Sequence, residues 1–175
     1  MTFPPTHQDL APRVETAWGE RPPLVGAMFN PALIACLLRE AADGYTSRMF
    51  HGMPWMLSYL AAPLVLHRST RESLPSRPGA VRLAVWARTH PVLRAGFPAQ
   101  AQAMVAPVRA GLRFALRYEV LDLVGDRLHA HATRTREAGR EHTELDDILK
   151  RARTAGRWLS TVDTATAFSL LGVAP

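Results

Sequence analysis

Residues 52–78 read GMPWMLSYLAAPLVLHRSTRESLPSRP, and the fold turns on how this stretch is placed. The run from Pro54 to Leu66 is apolar on every side. A surface helix would alternate faces, so this one belongs inside a core. It stops abruptly at His67, Arg68, Ser69, Thr70, Arg71, Glu72 and Ser73. A buried helix therefore carries a polar cluster to one place, where it can hold the fold together, dock a partner or perform chemistry.

Whole-chain properties limit these options. A chain of 175 residues suits one domain with one real core. With 47% hydrophobic and 21% charged residues it is globular. The apolar run is too short to cross a bilayer, and Pro63 interrupts it. The N-terminus lacks the pattern of a signal peptide, and a lone cysteine, Cys36, fits a reducing compartment. The expected location is the cytoplasm. The net charge of +6 comes almost wholly from arginine, Lys150 being the one lysine, and favours acidic partners, nucleic acid or protein.

Outward from the opening stretch, residues 1–26 are proline-rich and read as an extended arm, and 27–175 as a single helical domain. Asn30-Pro31 opens a helix whose buried stripe includes Leu33, Leu37 and Leu38, with Cys36 beside them and Gly44 as its stop. A second helix spans Pro54 to Leu66, kinked by Pro63. Ser69 to Glu72 fits a capping box opening a short turn. Helices follow over 81–90, over 91–105 with a break at Gly96-Phe97-Pro98, and over 107–118 with Val108, Leu112, Ala115 and Leu116 inward. Strands at 119–124 and 127–132 are joined by Gly125-Asp126, a hairpin turn. Three helices and a hairpin make residues 80–133 resemble a winged helix. A polar loop, 133–142, leads to a helix over 143–159 with Thr143 or Asp146 as cap, and another over 163–171 ends at Gly172. The fold class is mainly α.

Motifs for catalysis are missing: there is no phosphate loop, dinucleotide fingerprint, HExxH or GxSxG. His129 and His131 share one strand face but do not complete a zinc site. Arg109, Arg113 and Arg117 recur every four residues, away from the apolar face. Together with Arg127 they offer contacts to nucleic-acid phosphates or to an acidic protein, or form an ordinary solvated face. Asp146–Lys150 and Asp147–Arg151 read as solvated pairs. In the polar cluster, Arg68 or Arg71 pairs with Glu72 in a structural reading, while in an interface reading the arginines grip a partner's carboxylates. A hydrolase using His67 and Ser73 ranks last.

The order of these residues is also that of a family. Asn30-Pro31-Ala32, Leu38-Arg39-Glu40-Ala41, Gly44-Tyr45, Gly52-Met53-Pro54, Pro63 to His67, Thr70 to Pro75, Gly156-Arg157-Trp158 and Leu170 to Val173 together resemble the middle component of bacterial three-component ABC systems. The resemblance spans about Asn30 to Pro175. It implies a non-catalytic adaptor between an SMC- or Rad50-like ABC ATPase and an effector, in defence against phage or other invading DNA. It brings no catalytic residues with it. No cofactor, metal, membrane or small-molecule substrate is expected. The residues assigned to a partner protein are Arg68, Thr70, Arg71 and Glu72. Those assigned to DNA or an acidic surface are Arg109, Arg113, Arg117 and Arg127. The rival reading is a free-standing winged-helix DNA-binding regulator.

Overall fold

The computed structural model describes residues 29–77, 81–131 and 144–174. Helix α1, Pro31–Met49, starts as the sequence indicates: Asn30 Oδ1 accepts from the Ala32 amide at 2.9 Å, and Pro31 takes the first position. Gly44 does not end it. The helix runs one turn further, to Phe50 in the left-handed region at φ 58. Gly44 is instead buried in the contact between α1 and α7, Glu144–Leu159, with a β-carbon's place already taken by the Arg153 backbone. Gly156 mirrors it, lying against the backbone of Ala41. These two glycines let the helices meet backbone to backbone, with no room for a side chain at either position. Arg153 adds ion pairs across the crossing, to Glu40 at 3.2 Å and to Asp43.

The apolar run takes a more complex path than one helix. Met53–Pro54 form strand β1, Trp55–Leu57 a 3₁₀ turn, and Ser58–Leu66 helix α2. Every α2 residue but Tyr59 is buried, as its unbroken hydrophobicity requires. Pro63 sits inside α2 without ending it. Helix α3, Arg68–Ser73, follows after His67 and carries no side-chain cap. The capping box thus does not form, because Ser69 lies within the helix, one residue past its start.

Helices α4 (Leu83–Thr89), α5 (Pro91–Ala103) and α6 (Val105–Arg117) come next. The break expected at Pro98 is absent. Proline inside a helix costs about 3 kcal/mol. Burying Phe97 returns about 1.5–3 kcal/mol, and Arg94 Nε donates to the Leu170 carbonyl at 2.8 Å, which holds the segment down. Strands β2 (Leu121–Val124) and β3 (Arg127–Ala130) form the expected hairpin, with Gly125 at φ 60 in its turn. β1 adds a third antiparallel strand, in the order β1-β3-β2, pairing Met53 with Leu128. A two-residue strand at the head of an apolar run leaves no alternation to read.

Trp86 and Trp158 meet edge to face at 5.6 Å in the core, and Trp86 stacks on His90. Both indoles have acceptors: Trp158 Nε1 donates to the Val81 carbonyl at 2.7 Å, and Trp86 Nε1 to Ser73 at 3.2 Å. Two expected inward residues point out. Leu116 is partly exposed, and Cys36 lies on the open side of α1. Partial burial still raises the Cys36 thiol pKa, against the pull of Arg39. The arm (1–26), the 133–142 loop and the Thr143 cap lie outside the described residues.

Helix α8, Thr164–Leu171, is bounded as expected, by Asp163 at its start and Gly172 at φ 72 after its end. Asp163 accepts from the Thr166 hydroxyl at 2.6 Å and from the Thr166 amide at 2.9 Å, and these bonds lower its pKa below the ordinary 3.8. A lowered folded pKa stabilises above the ordinary value and is lost as pH falls through it. Asp163→Ala is therefore expected to lower the urea midpoint at neutral pH, with the gap to the parent protein closing as pH drops below 3.8. A gap that does not change with pH would count against the cap.

Candidate docking surfaces

The buried helix α2 has an open surface at each end. At its C-terminal end, Arg71 is only 5% exposed. Its Nη1 donates to the Val65 carbonyl at 3.0 Å, satisfying a carbonyl freed where α2 stops. Its Nη2 donates to Glu144 Oε1 at 3.0 Å, and its Nε lies 3.4 Å from Asp147 Oδ2. Asp147 also faces Arg151, whose Nη1 donates to the Leu74 carbonyl at 3.3 Å. The acidic start of α7 thus supplies counter-charge to the corner as well as forming the largely solvated Asp147–Arg151 pair that the spacing indicates. Asp147 and Glu144 keep much of their surface in water, together with Arg68 and Glu72.

These contacts revise the roles read from the sequence. Arg68, not Arg71, pairs with Glu72: Arg68 Nε donates to Glu72 Oε1 at 2.7 Å, an exposed bond that lowers the Glu72 pKa and raises that of Arg68. Arg71 grips carboxylates of its own chain. Thr70 is fully buried and cannot reach a partner's surface in this conformation. The Ser73 hydroxyl donates to the Thr70 carbonyl at 2.7 Å and accepts from Trp86, so it serves the core while His67 stands in solvent. What remains open is a mixed-charge groove of about 560 Å³ with Arg68, Glu72, Glu144 and Asp147 on its walls.

At the other end of α2 lies a groove of about 460 Å³ with a mainly apolar lining. Trp55 and Tyr59 meet edge to face at 6.0 Å, and Met56, Pro98, Val105, Phe168 and Val173 complete much of the lining. Trp55 is 40% exposed. Among the described residues Arg109 is the one charged residue on the groove wall, and it begins the exposed row continued by Arg113 and Arg117. Arg127 does not face the same way. It bonds the Gly52 carbonyl at 3.4 Å, pairs with Asp126 at 3.3 Å, and approaches Tyr45 and His51 in a third cleft. Burial raises the Tyr45 pKa against the pull of Arg127. The two histidines have different contacts. His131 Nε2 lies 2.5 Å from Asp122 Oδ2, while His129 packs against Gly52.

The aromatic groove escaped the sequence reading. Trp55, Met56 and Tyr59, spaced as one helix face, are the members of the apolar run that the surrounding helices leave partly exposed. Among the described residues no cluster of His, Cys, Asp and Glu could hold a metal ion, and no helix is long and apolar enough to cross a membrane.

In a comparison with known families, residues 18–175 match the model described as ABC-three component (ABC-3C) system Middle Component 3. No curated protein and no solved structure matches the chain.

Proposed function

The chain belongs to the ABC-3C Middle Component 3 family, and from that premise we propose that it is an adaptor, joining an SMC- or Rad50-like ABC ATPase to an effector in a defence system. One observation supports this most. Helix α2 runs from the aromatic groove to the charged corner, and the two surfaces share no residue. Its nine residues make a spacer of about 14 Å, at 1.5 Å per residue. With its surroundings packed against α1, α5, α6 and α7, such a rod holds two partners at a fixed distance. The corner would contribute Arg68 and Glu72 to one contact, with Arg71 holding the corner's shape from behind.

Size-exclusion chromatography of the three components, mixed in pairs and together, tests this reading. A complex of all three is expected, with no association of ATPase and effector when this chain is left out. Equal association in its absence would refute the adaptor role.

The row Arg109, Arg113 and Arg117 also supports a second reading, a winged-helix DNA-binding regulator, through phosphate contacts. Its hairpin suits that role poorly. It turns Asp122, Asp126, Leu123 and Val124 toward solvent, and Arg127 is already engaged. Tight, sequence-specific gel shifts by the protein alone would favour the regulator.

A further inference from the structure

We infer that the Trp55–Tyr59 groove and the arginine row of α6 form a single docking site for an acidic amphipathic helix of a partner protein. Arg39, Arg68, Arg71, Arg127, Arg151 and Arg153 all face carboxylates of their own chain. Arg109, Arg113 and Arg117 stand exposed and meet no carboxylate among the described residues. Three like charges at four-residue spacing repel one another mildly, which opposes the helix that holds them. Acids brought by another molecule remove that repulsion.

Geometry joins the row to the groove. Arg109 belongs to both, and Arg113 and Arg117 follow at steps of about 6 Å along α6. An incoming helix with acids at the same spacing lies beside α6 and turns an adjacent apolar stripe into the groove. This is the helix-in-groove mode, with anchors at i, i+3 or i+4, and i+7. Duplex DNA matches the row but not the groove: its phosphates and wet edges have nothing to place against Met56, Val105, Phe168 and Val173. Among the described residues, the groove lining carries no acid that would repel the segment. The two parts have different tasks. Exposed ion pairs set register and speed encounter, while buried aromatic and aliphatic contacts set the lifetime of the complex.

The identity of the partner, a component of the same system, rests on the adaptor reading; the chemistry of the site does not. Fluorescence anisotropy tests it with the full chain and a labelled peptide that has leucine and phenylalanine on one helical face and glutamates beside them. A version with lysine for glutamate, and a short DNA duplex as competitor, complete the set. Two exposed positions provide variants that leave the core alone: Gln102→Trp fills the groove mouth, and Arg113→Glu reverses the row. The acidic peptide is expected to bind, and the lysine version at least about tenfold more weakly. Gln102→Trp should weaken binding about tenfold at any salt concentration, and Arg113→Glu about fivefold, only at low salt. Failure of the acidic peptide to bind, equal binding of the two peptides, or parent-like binding by Gln102→Trp overturns the proposal. DNA binding that Arg113→Glu abolishes and Gln102→Trp spares assigns the row to nucleic acid, and overturns it as well. Peptide binding by a chain that fails to join the ATPase to the effector would defeat the adaptor reading alone. Assembly of the three components that ignores both substitutions would defeat the groove alone.

Discussion

Gly156→Ala is expected to destabilise the protein by about 3 kcal/mol, the upper end of the cost of overpacking a well-filled site. The direction is the informative part. Within a helix, glycine to alanine ordinarily stabilises by about 0.5–1 kcal/mol. Here the new β-carbon falls on the Ala41 carbonyl oxygen and 2.7 Å from its carbon. Neither is the end of a flexible side chain, so the obstacle cannot rotate away. Helices α1 and α7 must separate, and the contacts of Ile148, Ala152, Ala155 and Leu159 loosen together. Gly96→Ala is the control. It lies on the exposed side of α5 with only Gln100 Nε2 near, at 3.9 Å, and should gain about 0.5–1 kcal/mol from the same chemical change. Urea unfolding of both variants measures the pair, with unchanged slopes showing that the folded states compare. Gly44→Ala, which meets the Arg153 backbone at the same crossing, should resemble Gly156→Ala. The double variant should cost less than the sum, since one separation of the helices accommodates both methyls. A neutral or stabilised Gly156→Ala would mean that the two backbones do not approach as closely as described.

The same glycines show where sequence reasoning reaches and where it ends. Gly172 read correctly as a helix stop because its reason is local: it follows the last apolar residue and takes a left-handed conformation. Gly44 met the same test and failed it, since its reason lies more than 100 residues away in the Arg153 backbone. Pro98 erred in the same way, its local penalty being offset by tertiary burial of Phe97. Asn30-Pro31, Gly125-Asp126 and the buried α2 were legible because caps, turns and unbroken hydrophobicity are properties of short segments. The corner was half legible. Its residues stood together in the chain, but the counter-charges of Arg71 come from α7, a pairing that no spacing announces. The aromatic groove was hidden differently, because exposure of two or three members of an apolar run depends on what the other helices leave uncovered.

Arg71→Ala should cost about 3 kcal/mol, a prediction that decides whether the polar corner is scaffold or contact. Truncation orphans the Val65 carbonyl, for which about 1–3 kcal/mol is typical. It also removes the packed stem of a side chain that is only 5% exposed. The partner carboxylates add less than in a fully buried pair, because Glu144 and Asp147 can turn to water. Arg71→Met keeps much of the stem and should recover part of the loss. Arg71→Lys keeps the charge but cannot reach the carbonyl and both acids with one ammonium, so it should fall between parent and alanine. Glu72→Ala, whose side chain is exposed and meets only Arg68 across one turn, should leave the urea midpoint nearly unchanged. The decisive step is to measure partner association for both variants at a temperature where each is fully folded. Association weakened by Glu72→Ala and retained by the folded Arg71→Met protein places the contact on the outer pair, with Arg71 as its support. If folded Arg71 variants lose association while Glu72→Ala keeps it, the buried guanidinium itself reaches the partner, and the corner must open on binding. Association unaffected by every variant leaves Arg71 to tie α7 to the end of α2, and the charged groove has no share in docking.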